Sequence, residues 1–235
     1  MHPDQDVRPG MGPEEREDTR EAMAGKRRPI RVRNTGWARA AAALLRKRGI
    51  APNAISLASM GFAALAGLCF AFAQNHGWLW PAGALLVQGR LLCNLFDGMV
   101  AVEGACGSPV GELFNDLPDR VSDTFILIGF GWGLPGWWPL LGWAAALCAM
   151  LTAYVRVLGS ACGLPPCYIG PMAKQHRMAM ITAGAIALTI LPASVIAPLS
   201  GLVLGCVMAG CAVTVFRRLH VLARDLRTGN GKAGA

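Results

Sequence analysis

Six stretches of the chain are apolar almost throughout, at about 54–73, 79–98, 113–133, 137–158, 178–198 and 200–221. Each is close to the roughly 20 residues that carry a helix across about 30 Å of hydrocarbon. The joints Q-N-H-G-W, G-L-P-G-W-W and L-P-A-S-V-I-A-P-L-S-G contain no Lys or Arg. The other connections and both ends hold Lys26 through Arg48, Arg156, Lys174, Arg177, Arg217, Arg218, Arg224 and Arg227. Because basic residues stay on the cytoplasmic side, this pattern predicts six transmembrane helices with both termini cytoplasmic. Ahead of the first segment, Gly36 to Gly49 sets Trp37, Leu44 and Leu45 among Arg39, Arg46, Lys47 and Arg48, the pattern of an amphipathic helix lying along the headgroups.

These elements imply an all-α integral membrane protein in three parts. Residues 1–33 are charged, Pro- and Gly-rich, without the apolar core of a signal peptide, and read as a disordered tail. Residues 34–222 form the six-helix domain, and 223–235 a polar C-terminal tail.

Composition agrees: 54% of residues are hydrophobic and 15% charged, too apolar for an ordinary soluble globule. The net charge of +8 lies beside apolar segments rather than on a soluble module with stacking aromatics, which argues for anionic lipid and against nucleic acid. Eight cysteines form no C-x-x-C pair and read as small residues within spans. Gly129/Gly133 and Gly201/Gly205 are G-x-x-x-G pairs, which pack helices within the chain or form the seam of a homodimer.

Against this background one island is polar. Between Asn94 and Asp123 the chain carries Asp97, Glu103, Glu112, Asp116, Asp119 and Asp123, with Gly98, Gly104, Gly107 and Gly111. Helical spacing puts Arg90, Asn94 and Asp97 on one face of the second segment. It likewise stacks Asn115 with Asp119, and Asp116, Asp119 and Asp123, on the third. Ionisable groups at membrane depth usually face a cavity or bundle interior and mark a site. Oxygen ligands at converging helix ends suit a hard divalent cation, Mg²⁺ or Mn²⁺, and with it a phosphate or diphosphate substrate. The alternative is that Arg90 and Arg120 neutralise these acids in buried ion pairs.

The island resembles the signature of the CDP-alcohol phosphotransferase family: D-x-x-D-G-x-x-A-R, eight residues, then G-x-x-x-D-x-x-x-D. Here it reads Asn94-x-x-Asp97-Gly98-x-x-Ala101-Val102, eight residues, then Gly111-x-x-x-Asn115-x-x-x-Asp119. Pro52-Asn53-x-Ile55-Ser56, at the start of the first segment, is similar to the P-N-x-[IL]-[ST] of that family. The resemblance implies an enzyme of phospholipid synthesis that moves a phosphatidyl or similar substituted phosphate group from a CDP-linked lipid to an alcohol, releasing CMP. It also implies a bacterial-type inner or cell membrane, with the site facing the cytoplasm. In the family four aspartates bind two metal ions, the last also serving as base, and the arginine assists nucleotide binding.

Carried over by position, the metal set is Asn94, Asp97, Asn115 and Asp119, with Asp116 compensating beside Asn115, and Asp119 is the catalytic base. Gly98, Ala101 and Gly111 line the nucleotide pocket, and Arg156, Lys174 and Arg177 receive the acceptor. Two aspartates are asparagine and the arginine is Val102, so weaker or single-metal binding is expected. Glu103, Asp123 and Arg90 are further candidates for compensation. The same departures favour a second reading, a non-catalytic relative that binds lipid or scaffolds a partner.

Overall fold

The computed structural model describes residues 35–103 and 111–228, with only the helical backbone described for 101–103 and 111–115. The tail 1–33 and the loop glycines Gly104 and Gly107 lie outside the described residues. Among the described residues every regular element is helical: α1 Gly36–Lys47, α2 Pro52–Phe72, α3 Leu79–Glu103, α4 Gly111–Trp132, α5 Pro139–Ala161, α6 Lys174–Ile190 and α7 Ile196–Arg227, the last preceded by a 3₁₀ turn at Ala193–Val195.

Helices α2 to α7 fall on the six apolar segments. Three stretches are long and apolar enough to cross a membrane by themselves: Pro52–Phe72, Pro139–Ala161 and Ala193–Arg227. α3 and α4 carry the polar island, and α6 has 17 residues. Helix α7 runs through Arg227 and so enters the segment 223–235 that reads as tail. At about 1.5 Å per residue its 32 residues span about 48 Å, well beyond the roughly 30 Å of hydrocarbon. Exposed large apolar side chains on several helices, among them Leu85, Leu147, Ile190 and Phe216, suit contact with lipid tails.

The chain forms two compact units: residues 35–61 with 89–119, and residues 62–88 with 120–228. In the first, the core is Ala38, Ala42, Ile55, Leu95, Met99 and Val100, with Leu45, Ile50, Cys93 and Phe96 packed against it. Ala38 and Ala42, one turn apart, let α1 approach closely, and the Trp37 ring meets Phe96 edge-on at 6.2 Å. Trp37 and Leu44 remain about half exposed on α1, as the amphipathic pattern predicts.

In the second unit, Phe70, Trp80 and Phe130 form an aromatic core with centroids 5.2–6.0 Å apart. Beside it, small residues set the spacing of α2 and α4. A Cβ on Gly67 would stand 2.5 Å from the Phe125 carbonyl oxygen, one on Gly129 would run into the Gly67 backbone, and one on Gly133 would meet the Ala71 carbonyl. The Gly129/Gly133 pair therefore packs within the chain, the first of its two predicted uses. Gly201 likewise lies against the Trp138 ring, whereas Gly205 has open space. Helix α7 packs on α5 and α6.

Candidate functional site

In the first unit the polar positions of three helices come together. Ser56 and Ser59 lie one turn apart on α2, facing Asp97 and Asn94 on α3. The Ser56 hydroxyl donates to Asp97 Oδ2 at 2.8 Å, and the Ser59 hydroxyl to Asn94 Oδ1 at 3.1 Å. Asp97 is buried, 5% exposed, where an ionised carboxylate needs such donors. A hydrogen bond to a charged group is worth about 1.5–3 kcal/mol, and this one also fixes the carboxylate's orientation. One turn before Asn94, Arg90 is fully buried and its Nη2 donates to both Asp119 Oδ1 and the Asp119 backbone oxygen at 3.3 Å. Pro118 precedes Asp119 inside α4 and takes one N–H out of the helical ladder there.

The structure thus places Asp97 and Asn94 on serine donors and Asp119 on Arg90. The ion-pair alternative is realised in Arg90–Asp119. Asp116 is half-buried on α4, and Gly98 is buried on α3. Ala101 and Gly111 belong to α3 and α4 by backbone alone; the side chains of Asn115, Glu103 and Glu112 lie outside the described residues. Sequence reasoning used Ser56 only as part of a recognition pattern and passed over Ser59. The available signal was the matching i, i+3 spacing of two serines and of Asn94/Asp97.

Asp123, one turn beyond Asp119, belongs to the second unit and to a different partner. Its Oδ2 accepts from Arg177 Nη2 at 2.6 Å, with both side chains buried. Arg177 Nη1 also donates to the Met172 backbone oxygen at 3.1 Å and to Thr152 Oγ1 at 3.3 Å. Of the two basic residues at i and i+3, Arg177 is therefore engaged inside the fold while Lys174 is half-buried.

The loop between α5 and α6 is held on several sides. Gly170, at φ +128°, presses against Thr214, whose Oγ1 accepts the Met172 N–H at 3.0 Å. Arg156 lies over the Tyr168 ring, 5.9 Å from its centroid. Arg218 donates through Nε to the Ile169 oxygen at 3.0 Å and through Nη1 to the Thr152 oxygen at 2.6 Å. Arg218 is 7% exposed and within electrostatic reach of Arg156, Arg177 and Arg120. Arg218 reads from sequence as ordinary cytoplasmic flanking, since Arg217 beside it is equally basic and is exposed.

Among the described residues no group of three or more His, Cys, Asp or Glu forms a ready metal cage. The donors present are oxygens, the Asp97 and Asp119 carboxylates and the Asn94 amide, and that chemistry fits a hard divalent cation such as Mg²⁺ or Mn²⁺.

No family model matches the chain. Over 148 residues, 63% of this chain and 73% of the relative, it is 26% identical to the inner membrane protein YnbA of Escherichia coli (strain K12). Its fold is shared with Mycobacterium tuberculosis phosphatidylinositol phosphate synthase, PgsA1, a member of the CDP-alcohol phosphotransferase family. The PgsA1 crystal structure in complex with manganese and citrate matches with a TM-score of 0.66 and 19% identity, over 79% of this chain and 88% of that one. The structure with CDP-DAG bound gives 0.66 and 19%, over 79% and 92%, and the apo form 0.63 and 20%, over 76% and 92%. With three helices able to cross a bilayer and an inner-membrane relative, the chain is a membrane protein whose regular elements, among the described residues, are all helical. Its resemblance to the CDP-alcohol phosphotransferase family, carried in sequence by the Asn94-to-Asp119 spacing, extends to the tertiary structure, which has the fold of a member of that family.

Proposed function

We propose that the protein transfers a phosphatidyl or similar substituted phosphate group from a CDP-linked lipid to an alcohol, with release of CMP. The observation that carries this reading is the matched helix spacing of Asp97 and Asp119, each oriented by a buried partner, Ser56 and Arg90. It is supported by the shared fold with PgsA1, one structure of which has CDP-DAG bound.

In this reading Asp119 accepts the proton of the acceptor hydroxyl as the oxygen bonds to the lipid-side phosphorus. The bond from that phosphorus to the bridging diphosphate oxygen breaks, and the electron pair leaves with CMP. Asp97, Asn94, Asp116, Asn115 and Asp119 are the oxygen donors for Mg²⁺ or Mn²⁺. Bound there, the cation neutralises charge on the diphosphate. Gly98, Ala101 and Gly111 give the nucleotide close access to backbone. Arg156 and Lys174, with Arg218 added, receive a polar or phosphorylated group of the acceptor, and Arg177 keeps Asp123 and the α5–α6 loop in place.

The same proposal has six membrane crossings in the domain 34–222, α1 in the headgroup layer, and both termini and the acid-rich loop in the cytoplasm. Its basis is the one-sided distribution of Lys and Arg.

One observation favours the non-catalytic reading, a lipid-binding or scaffold protein: the carboxylate assigned as base is paired with a buried arginine. Reconstituted protein supplied with radiolabelled CDP-diacylglycerol, Mn²⁺ and a panel of polyols and their phosphates decides between them. Divalent-dependent CMP release is expected. Silence across the panel, persisting in Asn94→Asp/Asn115→Asp protein, would establish the scaffold.

A further inference from the structure

Helix α1 divides its surface three ways. Ala38, Ala42 and Leu45, at i, i+4 and i+7, face the core shared with Leu95, Met99 and Val100 of α3 and Ile55 of α2. Trp37 and Leu44, two turns apart, form an apolar flank that is about half exposed. Arg39, Arg46 and Lys47 form the flank on the other side of the core-facing stripe, and all three are exposed. A helix of this kind lies in a headgroup layer, with its apolar side chains in the acyl boundary and its cations among lipid phosphates. Charge makes the occupant an anionic leaflet: residues 35–50 contain no acid, so a second copy of this flank would be repelled. On the protein side α1 grips little, two alanine methyls with parts of Leu45 and the Trp37 ring. Its position is therefore set jointly by α3 and the leaflet.

The joint from α1 to α2 is rigid. The Gly49 N–H donates to the Arg46 oxygen at 2.9 Å and the Ile50 N–H to the Leu45 oxygen at 3.1 Å, both bonds of a Schellman turn, with Gly49 at φ +71°. Leu45 and Ile50, the positions whose side chains meet in such a turn, pack on the same core. The Ala51 oxygen then accepts the N–H of Ala54 at 3.0 Å and of Ile55 at 3.4 Å, opening α2. The next residue is Ser56, whose hydroxyl orients Asp97. From the basic flank to the Asp97 carboxylate, each step is hydrogen-bonded or packed.

We propose that α1 is a lever for membrane charge: docking of its basic flank on anionic phospholipid headgroups sets, through the Gly49 turn, the position of Ser56 and so the orientation of Asp97. Under the transfer reading, on which this consequence rests, metal affinity and phosphatidyl transfer rise with the anionic lipid content of the membrane.

The test places the full chain in nanodiscs of phosphatidylcholine, alone or with an equal part of phosphatidylglycerol, and follows hydrogen–deuterium exchange and Mn²⁺ titration corrected for empty discs. With phosphatidylglycerol, protection of residues 37–47 and 50–56 is expected to rise together by about 5-fold or more, the effect of one basic residue at an anionic surface. Mn²⁺ is expected to bind about 10-fold more tightly. Arg39→Gln/Lys47→Gln, on an exposed flank, abolishes both responses. At Gly49 a Cβ has open space but the positive φ strains it, so Gly49→Val keeps the response of 37–47 and loses that of 50–56 and of Mn²⁺. Gly49→Asn, which tolerates that φ, keeps them all. Should Gly49→Val fail to fold, Ser56→Ala breaks the last step instead: Mn²⁺ affinity stops responding to lipid while the protection of 37–47 and 50–56 still does. Protection identical in the two discs overturns the proposal, as does protection that follows the number of chains per disc, which makes the occupant a second copy. CMP release from CDP-diacylglycerol separates the two claims. Equal release in both discs rejects the lever and leaves the transfer standing; a lipid response of 37–47 and 50–56 with neither Mn²⁺ binding nor release rejects the transfer and leaves the lever to Ser56.

Discussion

Helix α4 carries two buried arginine–aspartate pairs one turn apart, and they differ in almost everything but composition. Arg177 meets Asp123 at 2.6 Å, with side chains 2% and 3% exposed, and donates through Nη1 to Thr152 and Met172. Arg90 meets Asp119 at 3.3 Å, and the Asp119 side chain is 12% exposed. A short, enclosed pair tied to neighbouring backbone and hydroxyl groups fixes the arrangement of its helices. A longer pair whose acid reaches the surface keeps a carboxylate oriented and accessible. Under the proposed transfer, the first would be an ion pair that stabilises and the second one that presents a group for chemistry.

The strongest way to break this comparison is to neutralise each acid in turn. Asp119→Asn is expected to lower CMP release by about 10²–10⁴-fold, the usual range for a general base, with Mn²⁺ still bound. If Asp123→Asn produced the same loss while the protein stayed folded, the base would be assigned to the wrong turn of α4. Next in size, Arg177→Met leaves Asp123 buried and unpaired and is expected to cost about 3–5 kcal/mol, read as a fall in the thermal unfolding midpoint in detergent. Arg90→Met should cost less, because Asp119 can be hydrated.

The serine donors sharpen the contrast at smaller scale. Ser56→Ala removes the hydrogen bond that orients Asp97 and is expected to weaken Mn²⁺ binding by about 10-fold with the fold intact; an unchanged titration would make Ser56 a packing residue. Smallest of all, Arg224→Ala breaks a pair with Asp225 in which the arginine is 71% exposed, and stability should move by less than about 1 kcal/mol. A larger change would mean that the end of α7 is covered in the assembled protein.

Much of the architecture was legible because membrane helices are specified locally. Runs of about 20 apolar residues, a Trp- and Arg-bearing amphipathic stretch at 36–49 and the one-sided basic residues predict helices and their order without knowledge of packing. The register of Asn94, Asp97 and Asp119 was equally legible, since helical periodicity and motif spacing are properties of the chain alone. Less visible was the work of small hydroxyl residues. Ser56 and Ser59 look like unremarkable helix positions until α2 is seen beside α3, and Thr152 and Thr214 matter only because arginines and a loop amide reach them.

By itself, then, the sequence determined which segments are helical and which faces of them are polar, because both follow from side chains within a few turns of one another. Only the tertiary structure decided which arginine neutralises which aspartate: Arg90 reaches Asp119 across 29 positions, and Arg177 reaches Asp123 across 54. Charge pairing depends on distances of a few ångströms between different helices, and those distances are set by where glycines and alanines let backbones approach. Spacing along one helix carries no record of that approach.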